Sequence, residues 1–116
     1  MNIRDKQICE KLLAEIAVAD ELLNGFSQES FASDERTARA VCMTLINIGE
    51  LVKGLSPELR QAHGEIPWRA IAGMRDVTAH KYQTLSKEDV FNTCTVDLPV
   101  FQNQLRTLLN VSSMEH

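Results

Sequence analysis

A chain of 116 residues is long enough to bury one core and too short for a second, so a single domain spanning 1–116 is expected. Hydrophobic residues at 44% and charged residues at 24% exclude a disordered chain, and no apolar run approaches the roughly 20 residues needed to cross a bilayer. The net charge of −4, from 12 Lys+Arg against 16 Asp+Glu, excludes a broad electrostatic grip on nucleic acid, so any RNA site must be local, built from a few focused arginines and strongly salt-dependent.

The first five residues lead directly into a charged helix rather than a signal-peptide core, which predicts a cytoplasmic protein without a membrane anchor. From about Ile3 to Asn24, Ile8, Leu12, Ile16, Ala19 and Leu23 recur every three or four residues, the period of an amphipathic helix, and Gly25 is its expected stop. The polar, serine-containing stretch from Phe26 to Ser33 is expected to be a connection, with Ser33 or Asp34 capping the next helix. That second helix carries Val41, Leu45, Ile48, Val52 and Leu55, flanked by Cys42, Ile46 and Gly49, and runs to about Gly54.

Ser56-Pro57 sets a cap before a proline at the first helical position, predicting a short connecting helix closed by Gly64. Pro67 opens another segment from Trp68 to about Asp76 or beyond, anchored by Trp68 and Ile71. Ser86 and Asp89 have capping-box spacing, after which Val90, Cys94, Leu98, Phe101, Leu105 and Leu108 continue a helical stripe that Pro99 is expected to kink. With no period-two alternation and no internal repeat, these stripes can bury themselves only against one another, which predicts an all-α bundle of four to five helices.

Cys9, Cys42 and Cys94 are odd in number and lack metal-ligand or C-x-x-C spacing, so buried structural thiols are expected rather than a zinc site or a disulfide. His63, in a short polar stretch, and His116, at the end of the chain, have no partner at metal-ligand spacing and are expected to be surface histidines; no metal or cofactor is implied.

Chemistry concentrates between Met74 and Gln83, which packs Arg75, Asp76, Thr78, His80, Lys81 and Tyr82 into eight positions. A plain helix C-terminus with a solvated basic residue is one reading. The other is a nuclease: RNA carries its own nucleophile in the 2′-hydroxyl, histidine suits the two proton transfers, and arginine's rigid fork matches phosphate oxygens as charge builds on them. On a continuous helix Arg75 and His80 would be about 140° and about 7.5 Å apart. Either the helix ends before His80, or Arg75 reaches round, or a symmetric homodimer assembles the site; the last is favoured because a two-fold axis would supply separate acid and base from identical chains.

Arg75-x-x-x-x-His80-x-Tyr82 resembles the R-x(4)-H-x-Y motif of the HepT branch of the HEPN superfamily. Ile48-Gly49-Glu50, the run Ile66-Pro67-Trp68 to Met74-Arg75, and Asp97-Leu98-Pro99 resemble that family's other landmarks in the same order, across most of the chain. The resemblance implies a HEPN-type bundle that dimerises so that paired motifs line a cleft, and a toxin that cuts RNA without metal. It implies catalytic roles for Arg75 and His80, a supporting, orienting role for Asp76, and a partner, a minimal nucleotidyltransferase of the MntA type, that silences the toxin by transferring AMP to Tyr82. Thr78 and Lys81 occupy variable positions. Glu50 is expected to serve packing at the Gly49 contact rather than to face the motif, and Trp68 to be core.

Two other readings stay open: a non-catalytic subunit that presents nucleotide or substrate to a nucleotidyltransferase, which the acidic charge fits slightly better, and a purely structural oligomerisation module.

Overall fold

The computed structural model describes residues 1–74 and 84–114, with side chains described as far as Asn110. Among these residues every regular element is helical. α1 (Ile3–Leu23) starts at Asn2, whose side-chain oxygen accepts from the Asp5 N–H at 2.7 Å, and buries the predicted stripe together with Cys9. It ends at Asn24, and Gly25 takes φ 84°, the left-handed turn that glycine adopts without steric cost.

The expected connection from Phe26 to Ser33 contains a helix instead, α2 (Gln28–Ala32). Ser27 and Ser30 cap it reciprocally, a capping box with serine in the place usually held by Glu or Gln. The turn forms because it drives Phe31 into the core, where it is fully buried and packs on Phe91 at a centroid distance of 5.7 Å.

α3 (Glu35–Lys53) is capped by Asp34, whose Oδ1 accepts from the Thr37 N–H at 2.9 Å, and closes at Gly54. The Ile8 side chain crosses close to Gly54, so α1 and α3 run antiparallel, and theirs is the most extensive helix pairing among the described residues. α4 (Pro57–Ala62) begins at Ser56 with Pro57 at its first position, as the sequence predicts.

α5 (Trp68–Ala72) packs on α3 and closes at Gly73, which interrupts the expected run; Met74 is helical again, and Asp76 lies outside the described residues. Glycine is poor at continuing a helix, and here its N–H bonds back to the Arg69 and Ile71 carbonyls. α6 (Lys87–Asn92) takes from Ser86 one arm of the expected box, Ser86 Oγ accepting from the Asp89 N–H at 3.2 Å.

α6 continues through a π-helical turn, Thr93–Asp97, into α7 (Leu98–Met114). The expected effect of Pro99 takes this form: the proline cannot donate to the Thr95 carbonyl and its ring crowds it, and a wider turn ahead of it accommodates both. The Leu98 N–H reaches back five residues to Thr93, and the Thr95 hydroxyl donates to the Phe91 carbonyl at 2.8 Å.

α1, α3 and the α6–α7 column thus enclose one core, with α7 and the π turn against α1 and with α2 bridging α3 and α6. All three cysteines are buried in it. Asp5 is the one buried carboxylate among the described residues, 2% exposed, and it ties the start of α1 to the α3–α4 corner. Its oxygens accept from the Ser56 N–H at 3.0 Å and from the Ser56 hydroxyl at 2.6 Å, while Ser56 Oγ accepts from the Leu59 N–H at 3.2 Å. No helix among the described residues is long and apolar enough to cross a membrane.

Candidate functional site

Arg75, Asp76, His80 and Tyr82, with Thr78 and Lys81, lie outside the described residues; the elements on either side of them are described in full. On the entry side, α5 is held by Trp68, which is 7% exposed, meets Phe101 edge-on at 5.9 Å and 86°, and donates its indole N–H to the His63 carbonyl at 3.0 Å. Ile71 is buried beside it, and Met74, the last residue before the motif, is partly buried against the same core.

On the exit side, Leu85 and Lys87 close over Phe31, Ala38 and Cys42. The Lys87 ammonium bonds the Ala32 carbonyl at 3.1 Å and the Glu35 carboxylate at 2.9 Å, so the start of α6 is clasped to the α2–α3 corner. The motif segment is therefore strung between two anchors, α5 on α3 and α6 on α2, both fixed by aromatic and apolar contacts that the hydrophobic pattern of the sequence dictates.

Two open grooves of about 330 Å³ each run along α7 from the entry anchor. The first lies between α5 and α7, floored by Pro67, Ala70 and Ile71 and reaching from Met74 to Asp97, at the end of the π turn. The second continues past Val100 and Gln104, which line both, to His63, Glu65, Asn103 and Thr107. His63 is part-buried rather than a free surface side chain, with Nδ1 3.7 Å from the Glu65 carboxylate. Gln104 Oε1 is buried without a hydrogen-bond partner. The hydrophobic pattern gave no warning of these grooves: Asn103, Gln104 and Thr107 look there like the ordinary polar flank of the stripe formed by Phe101, Leu105 and Leu108.

The buried thiols are inert. Desolvation pushes Cys9 up to about 11 and Cys94 up to about 12, aided by the Asp5 carboxylate at Cys9 and by Cys42 at Cys94, and it raises Cys42 as well. Among the described residues no group of three or more His, Cys, Asp or Glu side chains is placed to hold a metal ion. Glu50 is exposed on α3 and borders an open groove against α1, beside Lys11, Glu15 and Asn47, and its neighbour Gly49 is buried.

The model of the ribonuclease HepT-like family matches residues 12–108, a span that contains both anchors, the motif segment and most of α7. A protein of Caldanaerobacter subterraneus subsp. tengcongensis that bears an RNase name is 35% identical over 100 residues, covering 86% of this chain and 89% of its own length. A protein of Thermococcus cleftensis that bears the name ribonuclease HepT is 34% identical over 100 residues, with 83% and 91% covered. An RNase-named protein of Methanocaldococcus jannaschii is 26% identical over 97 residues, with 81% and 84% covered. No solved structure matches the chain. With the motif and its landmarks in order inside the matched span, the chain belongs to the HepT-like ribonuclease family of the HEPN superfamily.

Proposed function

We propose that this single-domain protein is a metal-independent endoribonuclease that works as a symmetric homodimer, with Arg75 and His80 as its catalytic pair and Asp76 orienting them. The observation that carries the reading is the R-x(4)-H-x-Y motif lying whole within the family-matched span. In the proposed reaction a histidine removes the proton of the RNA 2′-hydroxyl, and the freed oxygen attacks the adjacent phosphorus. The bond to the 5′-oxygen breaks, and that oxygen leaves with a proton from a second acid. A 2′,3′-cyclic phosphate and a 5′-hydroxyl result, with no water consumed at this step. Arg75 holds the phosphate oxygens as negative charge accumulates on them. One motif histidine per chain leaves either the acid or the base unassigned, and a two-fold axis beside the motif supplies the other from the second copy.

Tyr82, two residues beyond His80, is the proposed site of control. AMP transferred to its hydroxyl by an MntA-type minimal nucleotidyltransferase brings bulk and negative charge into a cleft that must accept a phosphate backbone, and like charge repels the RNA. The pair then acts as a cytoplasmic toxin and antitoxin.

The test is cleavage of single-stranded RNA by purified protein in EDTA, with product ends read for 2′,3′-cyclic phosphate. His80→Ala and Arg75→Ala should each abolish cleavage while leaving the helical circular-dichroism signal intact. Cleavage that survives either substitution, or that needs magnesium, refutes the mechanism. The acidic net charge of −4 favours a second reading, a non-catalytic subunit presenting nucleotide or substrate to the transferase. Growth arrest on expression alone, lost in His80→Ala, is required only by the nuclease.

A further inference from the structure

We propose that Arg69 is a substrate-binding residue, gripping a backbone phosphate of the RNA strand a few nucleotides from the bond that is cut. The proposal rests on the ribonuclease reading and adds to it a residue outside the motif. A net charge of −4 leaves no general attraction for RNA, so affinity must come from individual cations beside the site. The two helices that frame the motif, α5 and α6, carry one cation each. Lys87 on α6 is committed to the Ala32 carbonyl and the Glu35 carboxylate. Arg69 on α5 is exposed, and its side chain makes no hydrogen bond or ion pair among the described residues.

The backbone of Arg69 is held in place from both sides. Trp68, one residue earlier, is buried and bonded to the His63 carbonyl, and the Arg69 carbonyl accepts from the Gly73 N–H at 3.0 Å. Its guanidinium thus springs from a rigid turn, and its planar fork matches the oxygens of a phosphodiester. Six residues lead from Arg69 to Arg75, a span of at most about 22 Å even when fully extended, so both arginines serve one short stretch of strand. Ala70, and not Arg69, borders the groove that contains the Asp97 carboxylate, so the guanidinium is turned from that repelling charge.

Gly73 follows four residues on, on the same side of the helix. Its φ of −68° is open to any residue, and a Cβ there would meet, among the described residues, only the Ala70 and Arg69 carbonyls at 3.4 Å, an ordinary contact. Neither the backbone angle nor a described neighbour requires a glycine. The bare main chain gives a phosphodiester room to pass closely between Arg69 and the motif.

The experiment uses the full chain and single-stranded RNA methylated at every 2′-oxygen, which lacks the nucleophile and stays intact. Affinity is read by fluorescence anisotropy across a salt series. Each phosphate contact on a single strand contributes about −0.7 to the slope of log affinity against log salt. Arg69→Ala should make that slope shallower by about 0.7, which is about a fivefold loss at about 0.1 M salt that vanishes near about 1 M. The loss should be alike on oligoadenosine and oligouridine, since a phosphate contact reads no base. Arg69→Lys keeps the charge and should restore the slope. Arg106→Ala removes an exposed arginine from α7 and should leave the slope in place. Gly73→Ala should weaken binding while the thermal midpoint holds or rises, and circular dichroism checks that each variant folds. An unchanged slope in Arg69→Ala overturns the proposal, as does an equal change in Arg106→Ala, which would reduce the effect to net charge. Gly73→Ala binding as tightly as the parent removes the path over the main chain. If the parent binds no RNA, the ribonuclease reading falls and takes the proposal with it; binding that ignores Arg69 defeats the proposal alone.

Discussion

Replacing Asp5 with Ala should cost about 3–5 kcal/mol of folding stability, because its carboxylate accepts two charge-assisted hydrogen bonds, each worth about 1.5–3 kcal/mol, at a site that water does not reach. Both bonds go to Ser56, so their loss also leaves that residue's N–H without its acceptor and frees the α3–α4 corner. Ser56→Ala removes the 2.6 Å bond and the cap on Leu59, and strands one carboxylate oxygen, so its cost should be comparable. The double variant should then be far less damaged than the sum of the singles, with a coupling of about 1.5–3 kcal/mol. Asp5→Asn keeps the shape and an acceptor for the Ser56 N–H, and should recover part of the loss. Urea unfolding monitored by circular dichroism at constant slope measures each value. A cost below about 1 kcal/mol for Asp5→Ala, or additivity in the double variant, refutes the assignment of this contact as the tie between α1 and α4.

Phe31→Ala should destabilise by about 3–5 kcal/mol, since it empties a fully buried aromatic site and undoes the contact with Phe91; a change near zero in the urea midpoint would show that α2 contributes nothing to the core. Because burial raises the Cys9 and Cys94 thiols above their unfolded values, the folded chain holds protons that the unfolded chain releases, and stability falls as pH rises from near 9 through about 12; Cys94→Ala should flatten that alkaline slope in thermal melts. Tyr82→Phe should retain RNA cleavage and lose the AMP-sized mass additions produced by a cognate nucleotidyltransferase with ATP, and intact-mass spectrometry showing unchanged labelling would move the modification elsewhere. Light scattering at micromolar concentration should give twice the 13.0 kDa chain mass, and a monomer would remove the proposed two-fold site.

The long helices were legible because their signals are local: Ser56-Pro57, Asp34 and the stripes of α1 and α3 each act within a turn or two of chain. α2 was not, because Phe31 is an apolar residue in a polar context and its burial depends on Phe91, sixty positions away. The π turn was hidden for a related reason, since Pro99 announces a disturbance without specifying whether the helix bends or widens. The Asp5–Ser56 tie and the unpartnered Gln104 oxygen are tertiary facts with no periodic signature. For the candidate site the balance reverses: Arg75, His80 and Tyr82 stand out as a motif in the chain, and the fold adds the pair of anchors that frames them and the groove that begins at Met74.

The π turn also sets a length. Val90, Cys94 and Leu98 are spaced at intervals of four, and on a regular α-helix two such steps overshoot a straight line by about 80°. All three are buried, as Ile8, Leu12 and Ile16 are at the same spacing on α1, and the wider turn takes up the excess rotation. An ordinary α-helical ladder through the same five residues, Thr93–Asp97, would instead swing α6 by about 100° relative to α7. Phe91 would leave Phe31, and Lys87 would lose its grip on the α2–α3 corner. The column acts as a gauge whose residue count, as much as its composition, fixes where the chain leaving the motif is fastened.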